Sequence, residues 1–259
     1  MNKNYELAYK INPNLAEANL GLGWAYFFKE DLDKSYDFFK RALELDSHNP
    51  YTNFNFGSFL RSIGLYSQAV KYYSRSIELD PLWALPYLML SDCYVRIGEF
   101  DEVEDFVNKA LDIEEDDHSF YIVHAEALIM IKEYEEAGEK IALAEKLNPE
   151  SLTIRYYRAW IAAAKGEKEK ALTLIEGRER YADYVASIYS LLGMKDEAIE
   201  IIKKGIDIGF RERKEYLYTY LALKNNPYYE ILRDDPRFKE IVESEKKKYD
   251  ERLERYGQF

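Results

Sequence analysis

Apolar residues along this chain recur at i, i+3, i+4 and i+7 in blocks of about a dozen residues, each followed by a short polar or glycine-marked break. In the stretch from Ala84 to Asp117, Ser91 is a small residue at a helix contact, Tyr94 an aromatic plug and Gly98 a helix end. Phe100 then opens a second block whose inner stripe is Val103, Val107 and Ala110. The same residue types fall one period upstream at Gly57, Leu60, Gly64, Tyr66, Ala69, Tyr73 and Ser76, closed by Asp80-Pro81. A further period back they are Gly23, Tyr26, Leu32, Ser35, Phe39 and Ala42. Downstream, Ala125, Leu128, Tyr134, Ala137, Ile141 and Ala144 keep the phase through Asn148-Pro149, and Ala159, Gly166 and Ala171 carry it on. This pattern predicts helical hairpins whose apolar stripes cannot be buried alone and must stack on copies of the same unit. The small residues let backbones approach, and Phe39 and Tyr73 fill the gaps between units.

With a period of about 34 residues and small, aromatic and proline positions in register, the chain resembles the tetratricopeptide-repeat (TPR) family. The resemblance implies an all-α, right-handed superhelical solenoid of TPR hairpins with a concave groove lined by the first helices. Five units are expected over residues 16–178. Residues 1–15 read as the second helix of an upstream repeat, since Tyr5, Ala8, Ile11 and Pro13 take the phases of Phe39, Ala42, Leu45 and Ser47. That start reads as a piece of a longer protein with more repeats, or another domain, before it. After Ala171 the phase slips, Ala198 arriving about seven residues early. A sixth, TPR-like unit is therefore expected over 179–210, with a bend at Gly177–Arg180. Residues 211–259 read as capping helices, their starts marked by Asn226-Pro227 and Asp235-Pro236. The segment NPYYEILRDDPRFKEIV resembles the closing element of TPR regions in bacterial cyclases, serine/threonine kinases and transcription regulators.

Composition narrows the function classes. A formal net charge of −12 over 259 residues argues against wrapping nucleic acid or an anionic membrane. One cysteine excludes an internal disulfide framework, and Cys93 reads as packing. No apolar run approaches the roughly 20 residues of a membrane span, and no signal peptide opens the chain; a cytoplasmic location is expected. Nothing resembles a phosphate-cradling loop, a nucleophile elbow or a metal-ligand motif, so no enzyme, cofactor or metal is expected.

The family's groove positions map onto Leu20, Trp24 and Phe27 in the first unit and onto Tyr51, Phe54, Ser58 and Arg61 in the second. They continue through Leu88 and Asp92, Ile122 and Glu126, and Tyr156 and Trp160, before the polar Asp183, Ser187 and Ser190. The aromatic members could equally pack against a neighbouring first helix. Asp92 and Glu126 hold equivalent positions on helices about 8–10 Å apart. Three readings stand: an acid/base pair, which needs a closed pocket; a pair that receives a Lys or Arg from a peptide; or carboxylates solvated or paired with Arg61, Arg96 or Arg155. His124 and Arg158 take the buried phase of Leu22, Phe56 and Leu90 and need partners. They form either a cryptic polar site between the fourth and fifth units, or a satisfied inter-repeat hydrogen bond or a snorkelling Arg.

On the last helix, Phe238, Ile241 and Val242 suit a cap, while Tyr249, Leu253 and Tyr256 form a stripe for capping or for self-association into a homo-oligomer. The expected function is non-catalytic binding, along the concave face, of a protein or peptide segment with apolar anchors and a basic residue. The alternative is an intramolecular regulatory or self-association module with no free peptide ligand. Acidic peptide tails are disfavoured, because the phases that clamp carboxylates in co-chaperone TPRs hold Leu20, Trp24, Leu88 and Asp92 here.

Overall fold

The computed structural model describes residues 2–177, 182–213 and 218–259, the side chains of residues 2, 182–183 and 208–213 excepted. A lone helix α1 (Asn2–Ile11) precedes the hairpins α2 (Ala16–Phe27)/α3 (Leu32–Leu45) and α4 (Pro50–Ser62)/α5 (Tyr66–Leu79). They are followed by α6 (Ala84–Ile97)/α7 (Val103–Ile113), α8 (His118–Met130)/α9 (Tyr134–Leu147) and α10 (Leu152–Ala164)/α11 (Lys168–Ile175). A sixth hairpin is α12 (Ala182–Leu191)/α13 (Lys195–Arg213), after which come α14 (Tyr220–Asn225), a 3₁₀ turn at Pro227–Leu232 and α15 (Pro236–Tyr256). No strand occurs among the described residues. The protein is an all-α superhelical repeat array.

Local chemistry sets the helix ends. Asn49 accepts from the Tyr51 N–H at 2.9 Å with Pro50 in the first turn, and Asp117 caps α8 by accepting from the Ser119 N–H at 2.8 Å. The turns inside units 2, 3, 5 and 6 use Gly64, Gly98, Gly166 and Gly193 at φ of 84, 87, 77 and 74°. In units 1 and 4 the same left-handed turn falls on Glu30 and Lys132, at 63 and 70°.

The small positions have the contacts the repeat register requires. A Cβ added at Gly23 would lie 3.0 Å from the Phe39 ring, and one at Gly57 would lie 3.2 Å from Tyr73. Ser35 Oγ donates to the Gly23 carbonyl at 2.9 Å, fastening the second helix of unit 1 to its first. Ala69, Ala137, Ala171 and Ala198 are fully buried between helices. On α1, Tyr5 lies against Gly21, while Leu7 and Ile11 are exposed.

The last forty-odd residues, expected as capping helices, return along the array. The α15 helix has 21 residues, about 31 Å at 1.5 Å each, and it runs back along the repeats. Arg237 pairs with Asp196 of unit 6 at 2.7 Å, Arg252 donates to the Ile63 carbonyl of unit 2 at 3.0 Å, and Tyr256 donates to Asp33 of unit 1 at 2.8 Å. The stripe expected to serve capping or self-association lies against the chain's own repeats. Tyr249 meets Tyr220 at 5.6 Å, Leu253 packs against the apolar core of units 1–3, and Tyr256 is buried against Tyr36 and Phe59. These side chains find apolar surface within their own chain. Of the expected bend at Gly177–Arg180, residues 178–180 lie outside the described residues.

Candidate functional site

The first helices α2, α4, α6, α8 and α10 carry the groove positions, and the structure divides them into an open half and a filled half. In the open half, Trp24 packs edge-on to Phe27 and Phe39 and stacks on the exposed Phe28, while its indole N–H donates to Asn55 at 2.7 Å. On the next helix Tyr51 is 52% exposed and stacks on Trp83; half-buried Phe54 lies 4.8 Å from Trp83 and 5.5 Å from Tyr73. Leu20 and Phe27, also expected in the groove, are buried in the unit 1 core.

The filled half is a buried ionic ladder. Arg61 pairs with Asp92 at 2.9 Å, Asp92 with Arg96 at 3.4 Å, and Arg96 with Glu126 at 3.3 Å, while the Tyr157 hydroxyl donates to Glu126. Burial pushes the Asp92 carboxyl up, but the Arg96 and Arg61 guanidiniums outweigh it and hold it below its ordinary range. Arg96 is likewise opposed by burial, and Glu126 and Asp92 more than compensate. Burial and the adjacent Glu126 push the Tyr157 phenol well up, so it remains a donor. The basic group between the two carboxylates thus comes from the array itself, as Arg96, rather than from a peptide. Arg155 takes no part; it donates to the Leu174 and Thr173 carbonyls.

The chain's own residues Tyr218 to Leu232 cover this ladder. Thr219 donates to Tyr66 at 3.1 Å in unit 2, and Asn225 donates to the Arg96 carbonyl at 3.1 Å in unit 3. Tyr228 donates to the Ile129 carbonyl of unit 4, and its ring lies 5.5 Å from Trp160 of unit 5. Asn226 donates to Ser187 of unit 6 at 2.9 Å. Tyr218, Ala222, Asn226 and Tyr229 face Arg96, Glu126 and Trp160 across a residual cavity of about 20 Å³, room for one water. Glu126 and Trp160 lie under this segment, and Leu88, Ile122 and Tyr156, also expected along the groove, are buried. Sequence reasoning missed Trp83, Tyr218, Asn226 and Tyr228. The density of Tyr and Asn in 218–229 was the available signal, but its docking surface is assembled from five units.

His124 is buried at 3% exposure, against α7 and α9. Arg158 reaches out to Glu145. Asp183's side chain lies outside the description, and Ser187 and Ser190 are buried.

The tetratricopeptide-repeat family model matches residues 16–49, 50–81, 85–117 and 185–208, and these segments are tetratricopeptide repeats. Among curated proteins, the TPR repeat-containing protein YpiA of Bacillus subtilis is 22% identical over 199 residues, covering 74% of this chain and 47% of the relative. TPR repeat-containing protein MJ1428 of Methanocaldococcus jannaschii is 24% identical over 255 residues, covering 86% of this chain and 42% of the relative. The chain thus spans less than half the length of either. Among solved structures, the APC/C hetero-tetramer Cut9–Hcn1 matches 93% of this chain and 51% of that one at 15% identity, with a TM-score of 0.57, a likeness of fold. No helix among the described residues is long and apolar enough to cross a membrane.

Proposed function

We propose that this chain is a non-catalytic protein-interaction scaffold whose partner surface is the aromatic face of units 1 and 2. Tetratricopeptide-repeat proteins are protein-interaction scaffolds. The single observation that carries the proposal for this chain is the contrast between the two halves of the concave face: Tyr51, Phe54 and Trp83 are part-exposed and held by mutual ring contacts, whereas Glu126 and Trp160 are covered. Rigid, part-exposed aromatic side chains are the usual energetic centres of protein interfaces. The partner is an extended segment with aromatic or aliphatic anchors, and a net charge of −12 favours basic flanks.

A second reading is supported by Tyr218 to Leu232 lying over Glu126, Trp160 and Ser187, groove positions of units 4–6: the array docks its own chain, and the segment occludes a larger binding surface. Both are tested by selection from a displayed random-peptide library on the parent, on a Tyr51→Glu/Phe54→Ala variant and on a Tyr228→Ala/Asn226→Ala variant. The first reading expects apolar-anchored peptides on the parent and their loss, by about 30-fold or more in affinity, on the Tyr51/Phe54 variant. Enrichment confined to the Tyr228/Asn226 variant would overturn it in favour of the second. Enrichment on none would exclude both.

A further inference from the structure

His124, on α8, is only 3% exposed. Two carboxylates converge on it: Glu104 from α7 of unit 3 and Glu136 from α9 of unit 4 each place an oxygen so that the three potential donor atoms lie within 4.8 Å of one another. Lys140, one turn beyond Glu136, pairs with it at 3.4 Å. Burial, with Lys140 adding to it, lowers the pKa of His124 against the opposing pull of Glu104 and Glu136. No metal motif exists in the linear sequence because the three residues come from three helices.

We propose that Glu104, His124 and Glu136 form a zinc-binding site between units 3 and 4. One imidazole nitrogen and two carboxylate oxygens, with a further position for water, make a suitable donor set for this ion. Zinc–ligand bonds of about 2.0–2.2 Å require donors closer together than they lie here. The two glutamates are exposed, so rotamer changes can close that distance while the buried imidazole stays fixed. Lys140 now neutralises Glu136 and competes with the ion for it. Because Glu104 belongs to unit 3 and the other two ligands to unit 4, the bound ion ties adjacent repeats together and links metal to stacking.

The test is titration of the metal-free full chain with Co²⁺, followed by its visible absorption, and with Zn²⁺ by calorimetry, alongside thermal unfolding. The expected result is saturable binding of one ion per chain, well below millimolar, with a raised Tm. Glu104→Gln and Glu136→Gln should each weaken it by about tenfold or more. His124→Gln should abolish the cobalt spectrum, with helicity confirming that the chain is folded. Lys140→Gln should tighten binding, and a His48→Asn/His118→Asn variant should leave it unchanged. The proposal is overturned if no saturable binding occurs, if the two glutamate variants bind like the parent, or if the His48/His118 variant is the one that loses the ion.

Discussion

At the scale of single residues, Asp92 is the point on which most of the buried charge depends. Its carboxylate is shared by Arg61 and Arg96, groups from two different units that pair at 2.9 and 3.4 Å. Removing one member of a buried ion network is far more costly than replacing the whole network with apolar residues. Asp92→Asn should destabilise the chain by about 3 kcal/mol, the lower end of that range because Glu126 still faces Arg96; urea unfolding of the two proteins checks it. The pH dependence follows from the depressed folded-state pKa of Asp92. Its contribution is fully present above the ordinary value of 3.8 and is lost as pH falls through the lower folded value. Acid titration of the parent should therefore show a loss of stability below about pH 4 that is smaller in Asp92→Asn; equal losses in the two would remove Asp92 from the account.

At the scale of elements, the informative one is α15. Its moment-bearing stripe looks, in isolation, like an exposed surface awaiting a second copy. Within the molecule it lies across units 6, 2 and 1 through Arg237, Arg252 and Tyr256. The Tyr256 ring meets Tyr36 at 5.3 Å and Phe59 at 6.1 Å, with its hydroxyl on Asp33. Tyr256→Phe should cost about 1 kcal/mol, the hydrogen bond alone, and Tyr256→Ala about 3 kcal/mol or more, since the buried ring is also lost. Amide exchange would show the effect first in the C-terminal turns of α15 and in α2 and α3. Loss of protection distributed evenly over the array would contradict this placement.

At the scale of the whole molecule, the tail changes what kind of solenoid this is. Open repeat arrays are held by nearest-neighbour contacts and can unfold unit by unit. Here a strut joins the last unit to the first, and Tyr218 to Leu232 bridges the units between them. The expected consequence is one cooperative urea transition. Cys93, fully buried and pushed well up by burial and by Asp92, reports it, because its thiol can be alkylated only when the array opens. Alkylation should track the single transition in the parent. In Tyr256→Ala it should run ahead of helix loss, with a shallower urea slope. Two resolved transitions in the parent would sink this view.

How much of this was readable from the chain follows from the range of the interactions. Gly23 against Phe39, Gly57 against Tyr73, the caps at Asn49 and Asp117 and the glycine turns are settled within one repeat, by periodicity and local sterics. The sequence by itself therefore determined the hairpins, their register and the helix face bearing Trp24, Tyr51, Asp92 and Glu126. Only the tertiary structure decided which of those faces remains accessible. The segment that covers Glu126 and Trp160 begins almost a hundred residues after Glu126 and touches five units at once. The Glu104–His124–Glu136 cluster draws on three consecutive helices of two units and carries no linear motif. A repeating pattern is blind to such contacts because they break the repeat: each is made once, by residues whose neighbours in space depend on where the array curls and where its tail returns.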